Sequence, residues 1–364
     1  MNVMPKSIKI LHILPSLVRA GAERVVYDLS LGLPKDRFQS GILLFKDNGA
    51  GADWRTELVG QGVKIFSLRK RCLVDAINFW QIYQEIKKFS PDIVHTHLGG
   101  DIYGRLAAKL AGVPVIVSTE HNLNVSESGL AAYFKKITTR FAEKVFAVSQ
   151  AVKEDCIVRY NLPLEKVEVI YNGIDLNRFQ AKQKDISKPY VIGALGRLTT
   201  QKGFSVLIEA ISYIKNQNII VKIAGQGELK NTLKKQIAKL KLESKVELVG
   251  LVEPVDFLSS IDIFVAPSLW EGLGLSALEA GAMNKPVIAS EIDGLREIIN
   301  DKTGFLFPAS QAKELAKQLD FVLENLEEDI VKQKSLSLQA KIKNDFSLKK
   351  MQDDYVAWYE RLSV

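Results

Sequence analysis

Glu271 and Glu279 stand on either side of a glycine-bearing turn in the stretch EGLGLSALEAGAMNKPVIASEIDGLREII, residues 271–299. The apolar run Ile261–Ala266 before them, closed by Pro267 and Ser268, reads as a short buried strand entering a turn. Helix formers follow from Ser276 to Met283, and Pro286 lies just beyond their end. Glu271 therefore belongs to a loop and Glu279 to the first turns of a helix. A strand, a glycine turn and a helix N-terminus suit an anionic ligand, because glycines admit close backbone approach and the helix end favours negative charge. Ser276-x-x-Glu279 also fits a capping box, in which Glu279 serves only a backbone N–H, and the local pattern leaves both readings open.

Arg197 and Lys202 in GRLTTQKG, residues 196–203, directly follow another strand pattern and bring two cations to a loop. Charge-assisted bonds to phosphate contribute ~1.5–3 kcal/mol each, so this pair could hold a diphosphate without metal. Gly225-Gln226-Gly227-Glu228 begins like a dinucleotide fingerprint but has Lys230 at the third glycine position. A nicotinamide site is therefore disfavoured, while a turn approaching a base or ribose stays open. All four histidines, His12, His95, His97 and His121, fall in the first third of the chain. Strand alternation places His95 and His97 on one face. Without a local third ligand they read as a polar cleft wall rather than a metal site. His121, just after a strand, is the better catalytic candidate.

These residues need a scaffold. Apolar runs at 8–14, 42–45, 63–68, 93–97, 115–119, 145–148 and 167–171 alternate with helical patterns, and a second series follows at 190–195, 219–224, 246–249, 263–266, 287–289 and 305–307. Such alternation predicts parallel α/β sheets. Two Rossmann-like domains are expected: 1–181, a polar linker 182–189, and 190–345. A final amphipathic helix, 346–364, carries Leu348, Met351, Tyr355, Trp358, Tyr359 and Leu362. Ala20-Gly21 opens a helix after the first strand, with Gly21 offering backbone to a ligand. A second amphipathic segment, 130–141, has apolar residues at 130, 133, 134, 137 and 141, with Lys135, Lys136 and Arg140 off that stripe. Its ordinary meaning is core packing with a wet basic face. The alternative is membrane contact, aided by Arg69-Lys70-Arg71.

The chain has 364 residues, 47% hydrophobic and 25% charged, which fits a globular protein of more than one core. Residues 1–180 hold 24 Lys and Arg against 18 Asp and Glu, and residues 181–364 hold 25 against 24. The first half thus carries nearly all of the net +7, suiting an anionic membrane or a phosphate-bearing substrate. The basic residues neither form one run nor interleave with stacking aromatics, so nucleic acid is not an expected partner. No signal peptide or membrane-spanning run is read, so the expected location is the cytoplasm, or the cytoplasmic face of the inner membrane. Cys72 and Cys156 read as structural.

Four pieces in order carry a family likeness: Ala20-Gly21-Ala22-Glu23, Ile170-Tyr171-Asn172-Gly173-Ile174-Asp175 with Phe179, Gly196-Arg197-Leu198 with Lys202-Gly203, and the two acids 271 and 279. On these the whole chain resembles the retaining glycosyltransferases of family four, which have the GT-B fold. The resemblance implies two Rossmann-like domains facing a central cleft, and a hexosyl transfer with retention from a nucleotide-diphosphate sugar, expected to be UDP-linked. It implies that Arg197 and Lys202 hold the diphosphate, that Glu271, Gly274, Leu275 and Ser276 hold sugar and phosphate, and that Glu279 holds the ribose. His121 would lie near the transferred sugar, and the last helix would cross back onto the first domain. The implied acceptor is a glycan or lipid-linked glycan of a bacterial surface polysaccharide such as capsule, O-antigen or lipopolysaccharide. No Asp-x-Asp motif occupies the cleft loops, so neither metal nor cofactor is expected. Two departures matter: Ala20 replaces a glycine, and Asn284 replaces the glycine that usually ends the helix. The alternatives are a GT-B sugar-nucleotide epimerase or hydrolase, and a non-catalytic partner of a transferase.

Overall fold

The structure is a computed structural model that describes residues 7–18, 20–47, 49, 51–68, 76–123, 129–180 and 187–363. Most of the expected linker 182–189, the Arg69-Lys70-Arg71 cluster and Cys72 lie outside the described residues. The chain divides into two compact units, Met1–Gly173 with Leu348–Val364, and Ile174–Ser347.

The first unit contains the strands β1 (Ile8–Leu14), β2 (Phe38–Leu44), β3 (Lys64–Ser67), β4 (Ile93–His97), β5 (Val115–Glu120), β6 (Lys144–Ala147) and β7 (Val167–Val169). They form one parallel sheet in the order β3-β2-β1-β4-β5-β6-β7. Its helices are α1 (Gly21–Gly32), α2 (Ala52–Gly60), α3 (Ala76–Phe89), α4 (Asp101–Ala111), α5 (Gly129–Thr139) and α6 (Gln150–Tyr160). The second unit has β8 (Tyr190–Leu195), β9 (Ile219–Ala224), β10 (Val246–Gly250), β11 (Ile263–Ala266), β12 (Val287–Ser290) and β13 (Phe305–Phe307), parallel in the order β10-β9-β8-β11-β12-β13. Its helices are α7 (Phe204–Ile211), α8 (Lys230–Lys239), α9 (Pro254–Ser260), α10 (Leu275–Ala282), α11 (Asp293–Arg296), α12 (Ala312–Glu324) and α13 (Asp329–Asp345), and α14 (Leu348–Leu362) returns to the first unit.

Strand order reverses between β1 and β4 in one sheet and between β8 and β11 in the other. Open parallel sheets bind ligands outside the carboxyl ends of the strands at such a reversal. His97 ends β4, the segment after β1 leads to Gly21 at the start of α1, and the loops after β8 and β11 carry Arg197 and Glu271.

The expected strands all form, most of them within a residue or two of the read boundaries; β2 begins earlier, at Phe38. The domain change falls earlier than the linker reading put it. The Ile174 N–H donates to the Phe346 carbonyl at 3.0 Å, and the chain bridges Ile174 to Ser347, so residues 174–180 belong with the second unit rather than the first. The Asn172-Gly173-Ile174-Asp175 motif is thus where the chain passes from one unit to the next. Gly173 and Leu348 lie on the first-unit side, where the Gly173 N–H points at Met351 Sδ, 3.2 Å away.

Helix α14 covers the first sheet with Met351, Tyr355 and Tyr359, all but fully buried against Ile10, Ile93, Val117 and Phe146. Helix α5 departs from its expected packing in its first two turns, while Ile137 is half-buried and Phe141, just beyond the helix, packs on the core. Lys135 is buried, while Leu130, Tyr133 and Phe134 are 76%, 59% and 50% exposed. Two buried acids explain the inversion: Lys135 Nζ donates to Glu120 Oε2 at 2.8 Å and sits 3.7 Å from Asp101 Oδ2. Arg105 Nη2 also lies 3.9 Å from Asp101 Oδ2, but Glu120 has Lys135 as its ion-pair partner, and leaving that buried carboxylate without it costs more than leaving three apolar side chains outside, so the charge decides which face turns inward.

Candidate active site

The second unit builds its site from the loops after β8 and β11. Gly203, at φ 60°, has no room for a side chain, since a Cβ would stand 2.0 Å from the Pro267 carbonyl oxygen. The Leu269 N–H donates to the Gln201 carbonyl at 2.8 Å, joining the two loops. Lys202 runs its stem across Gly196, where a Cβ would lie 3.0 Å from it, and ends 2.5 Å from Glu271 Oε1. Glu271 is buried and also accepts from Ser268 Oγ at 2.8 Å. Lys202 and Glu271, read from the sequence as separate ligand contacts, are thus partners of each other. Arg197 is exposed and has no ion pair among the described residues.

Gly274 takes φ 92° and is the N-cap of α10, where an added Cβ would meet Leu295 Cδ2 at 2.5 Å. The Ala277 and Leu278 N–H groups turn back to the Gly274 carbonyl, leaving those of Leu275 and Ser276 without an intrahelical acceptor. This corrects the capping-box reading. Ser276 is inside the helix, the cap has no side chain, and Glu279 therefore stands one turn in, half-buried. At the other end Asn284 adopts φ 56°, with its N–H on the Gly281 carbonyl and the Lys285 N–H on that of Ala280, both at 3.0 Å. That is a Schellman closure with Asn in the glycine position.

Gly225 and Gly227 let their turn pack directly on the backbone of the loop after β8. Cβ atoms there would fall 1.8 Å from the Gly196 carbonyl oxygen and 2.4 Å from that of Leu198. The Leu198 N–H donates to the Gln226 carbonyl at 2.8 Å. The turn braces the Arg197 loop, a backbone-to-backbone contact that no local pattern announces.

In the first unit Gly21 is the exposed first residue of α1, after an extended Ala20 with no side-chain cap. The four histidines gather at the β1/β4 reversal. His12 pairs in register with His95 on the neighbouring strand. The His95 and His97 rings lie 4.0 Å apart, on one face as alternation required. His12 Nδ1 is 3.1 Å from His97 Nε2, and His97 Nδ1 is 3.1 Å from His121 Nε2. His95 instead binds Tyr359 Oη at 2.6 Å and Thr119 Oγ1 at 2.7 Å. Burial drives all four toward the neutral form, His12 to about 3 and His121 to about 4, and His95 and His97 well below the ordinary imidazole value. His12, His95 and His97 place ligand-type nitrogens within 4.8 Å of one another, supplying the third histidine absent from the local sequence. Both His95 nitrogens are already engaged, however. The gathering of His12 with the other three was missed in the sequence because it depends on β1 lying beside β4.

On the other side of the sheet, Asp101 is raised to about 6, chiefly by burial and then by Glu120. Arg105 is wholly buried with Nη1 on Thr139 Oγ1 at 2.7 Å. Glu120, tied to Lys135, immediately precedes His121, so α5 is anchored to the strand end that presents this histidine. Cys156 is a free buried thiol, pushed up by burial. No helix among the described residues is long and apolar enough to cross a membrane.

Comparison with known proteins agrees with this architecture. Residues 177–337 match the family described as Glycosyl transferases group 1, and residues 19–178 match Glycosyltransferase Family 4. The Escherichia coli UDP-Gal:alpha-D-GlcNAc-diphosphoundecaprenol alpha-1,3-galactosyltransferase is 30% identical over 379 aligned positions, covering 95% of each chain. The amylovoran biosynthesis glycosyltransferase AmsK of Erwinia amylovora is 33% identical over 281 positions, 72% of this chain and 68% of its own. Among solved structures, Anabaena HepE in complex with UDP and glucose superposes with a TM-score of 0.86 at 22% identity, over 97% of this chain and 100% of that one. The fold is therefore GT-B.

Proposed function

This chain belongs to glycosyltransferase family 4, and from that membership we propose that it moves a hexosyl group from a UDP-sugar, with retention, to a lipid-linked glycan acceptor in bacterial surface polysaccharide synthesis. The observation that carries the donor half is the loop pair of the second unit. Exposed Arg197 and the open N–H groups of Leu275 and Ser276 leave the carboxyl ends of adjacent strands, with Glu271 held between Lys202 and Ser268. In this reading Arg197 and Lys202 take the diphosphate, whose charge grows as the sugar departs. Glu271, Gly274, Leu275 and Ser276 take sugar and phosphate, and Glu279 the ribose. The UDP and diphosphoundecaprenol in the names of similar proteins support the choice of donor and acceptor.

Arg197→Ala is the cleaner test, because the exposed guanidinium holds nothing in the fold. Lys202→Ala, by contrast, leaves a buried Glu271 short of its partner. We expect Arg197→Ala to lower turnover by ~10²–10³, with an unchanged melting temperature. Near-wild-type transfer by Arg197→Ala rejects the assignment. Conversion of a UDP-sugar without any acceptor would favour an epimerase or hydrolase, and an inverted anomeric centre in the first product would reject retention. We also propose catalysis without metal or cofactor; loss of activity in chelator, restored by a divalent ion, would reject that.

The acceptor half carries a membrane proposal. Ile77 and Trp80 at the start of α3, Tyr103 in the first turn of α4, and Leu130, Tyr133 and Phe134 of α5 are all exposed. These helices each follow a strand of one parallel sheet and pack in succession, so their first turns share the carboxyl edge on which His97 and His121 stand. Lys136 and exposed Arg140 flank the apolar residues. Apolar anchors ringed by cations suit an anionic bilayer, where a lipid-linked acceptor resides. Co-sedimentation with vesicles containing phosphatidylglycerol is expected, and equal recovery with neutral vesicles in high salt would reject the electrostatic part.

A further inference from the structure

From Lys230 to Lys241 the second unit carries five lysines, Lys230, Lys234, Lys235, Lys239 and Lys241, and no acid. The rest of residues 181–364 holds 20 Lys and Arg against 24 Asp and Glu, so the even balance of this half conceals one cationic segment in an otherwise acidic stretch. All five lysines are exposed, and none has an ion pair among the described residues. Helix α8 buries Leu233 and Ile237, and by helical spacing the lysines fall on the side left to water, around the shorter, exposed Asn231 and Ala238.

Folding does not account for this pattern. Lys230 with Lys234, and Lys235 with Lys239, are like charges four residues apart, which oppose the helix. Lys230 also stands in the opening turn, at the positive end of the helix dipole. Lys241 holds a left-handed φ of 54°, which glycine or asparagine takes at less cost. The dipole favours only Lys239 and Lys241, at the far end. Elsewhere in the chain the same spacing is neutralised, since α14 pairs Lys349 with Asp353 and Lys350 with Asp354. A helix that gathers charge against its own stability points to a partner.

The chemistry of the face selects the partner. Lysine ammonium groups are point charges without the planar fork that reads single phosphates or carboxylates, and no aromatic side chain stands among them to stack on a base. Clusters of about 4–8 cations on an amphipathic helix match the diffuse negative charge of a phospholipid surface. We propose that the outer face of α8 docks the second unit on an anionic bilayer, as an electrostatic contact without insertion and separate from the apolar residues of α3, α4 and α5. The contact needs no sugar donor, so it stands or falls independently of the transferase reading.

Binding of the full chain to phosphatidylcholine vesicles, with and without phosphatidylglycerol and in the absence of nucleotide sugar, tests it. Changing all five lysines to glutamine should weaken binding to phosphatidylglycerol vesicles by ~10-fold or more and flatten its salt dependence. The melting temperature should hold or rise as the repulsion is relieved, and five Lys→Arg changes should retain binding. Lys302→Gln, Lys313→Gln, Lys317→Gln, Lys332→Gln and Lys343→Gln remove as much charge from other exposed positions of the second unit. An equal loss in that set would mean attraction to net charge alone and would overturn the proposal. Amine-reactive labelling read by mass spectrometry locates the contact: phosphatidylglycerol vesicles should protect the α8 lysines of the wild type. Equal labelling on and off the vesicles would overturn it, as would protection of these lysines by RNA and not by vesicles.

Discussion

Helices α5 and α14 belong to the same unit, and both carry apolar residues at helical spacing beside lysines and arginines. They are used in opposite ways. Helix α14 turns Met351, Tyr355 and Tyr359 into the sheet and leaves its charges in water, as with Arg37 and Glu360 paired at the surface. Helix α5 turns Lys135 inward and leaves Leu130, Tyr133 and Phe134 outside. The spacing of apolar residues identifies a helix and its stripe. What lies opposite decides which side is buried, and under α5 that is a pair of acids rather than an apolar sheet face.

The largest effect should come from removing that cause. Lys135→Met leaves Glu120 and Asp101 buried together without their shared cation, a change of ~3–5 kcal/mol. At roughly 2–4 °C per kcal/mol for a unit of this size, melting should fall by about 10 °C. Glu120→Gln added to Lys135→Met should recover much of the loss in thermal denaturation. If Lys135→Met melts like the wild type, the ion network does not orient α5.

The pH dependence of the two helices should differ in sign. His95 beneath α14, like His12 and His121, has a folded pKa below its unfolded value, so its contribution is present above about 6.5 and lost as pH falls. Asp101 beneath α5 has a raised folded pKa, so its contribution is present below the usual carboxylate value and lost as pH rises through about 6. Each titrating group changes stability by up to about 1.4 kcal/mol per pH unit within its window. Hydrogen exchange corrected for intrinsic rates should show α14 less protected at pH 5.5 than at 7.5, and α5 comparatively more. Parallel changes in both helices would mean that the two anchors are not separately felt. A smaller handle on α14 is Tyr359→Phe, which leaves His95 Nδ1 without its partner while keeping the ring. A loss of ~1–3 kcal/mol is expected, and Tyr359→Phe should not change vesicle binding.

The same contrast explains how much could be read from sequence. The strands were legible because parallel strands covered on both faces are continuous apolar runs, and the α10 closure was legible because Asn284 tolerates the left-handed region. Helix α14 was legible because its apolar stripe meets an apolar sheet. Partners at long separation were not legible: Asp101 and Glu120 for Lys135, β1 beside β4 for the histidine row, and Gly196 against Gly225. Glu271 and Lys202 were identified as site residues singly, but their mutual bond requires the two loops to be brought together by adjacent β8 and β11. An acid ending a strand that begins apolar, such as Glu120 at the end of β5, is the one local sign that a nearby cation belongs inside.

The smallest effect on stability, and the one that most sharpens the contrast, is expected from the outward face of α5. Leu130→Ser, Tyr133→Ser and Phe134→Ser together remove side chains that are at least half exposed, where substitutions usually stay within about 0.5 kcal/mol each. The melting temperature of the triple variant should therefore move by no more than a few degrees, or rise if relief of exposed apolar surface favours the folded state. Vesicle binding should drop severalfold, because these residues supply apolar area whereas Lys136 and Arg140 supply only a salt-sensitive attraction. Transfer to a water-soluble acceptor analogue should stay near wild type, and transfer to a lipid-linked acceptor in vesicles should fall. A large drop in melting temperature would show that α5 is packed through its apolar stripe after all. Unchanged vesicle binding would leave the stripe exposed without a membrane role, and the inversion of α5 would then follow from Lys135 alone.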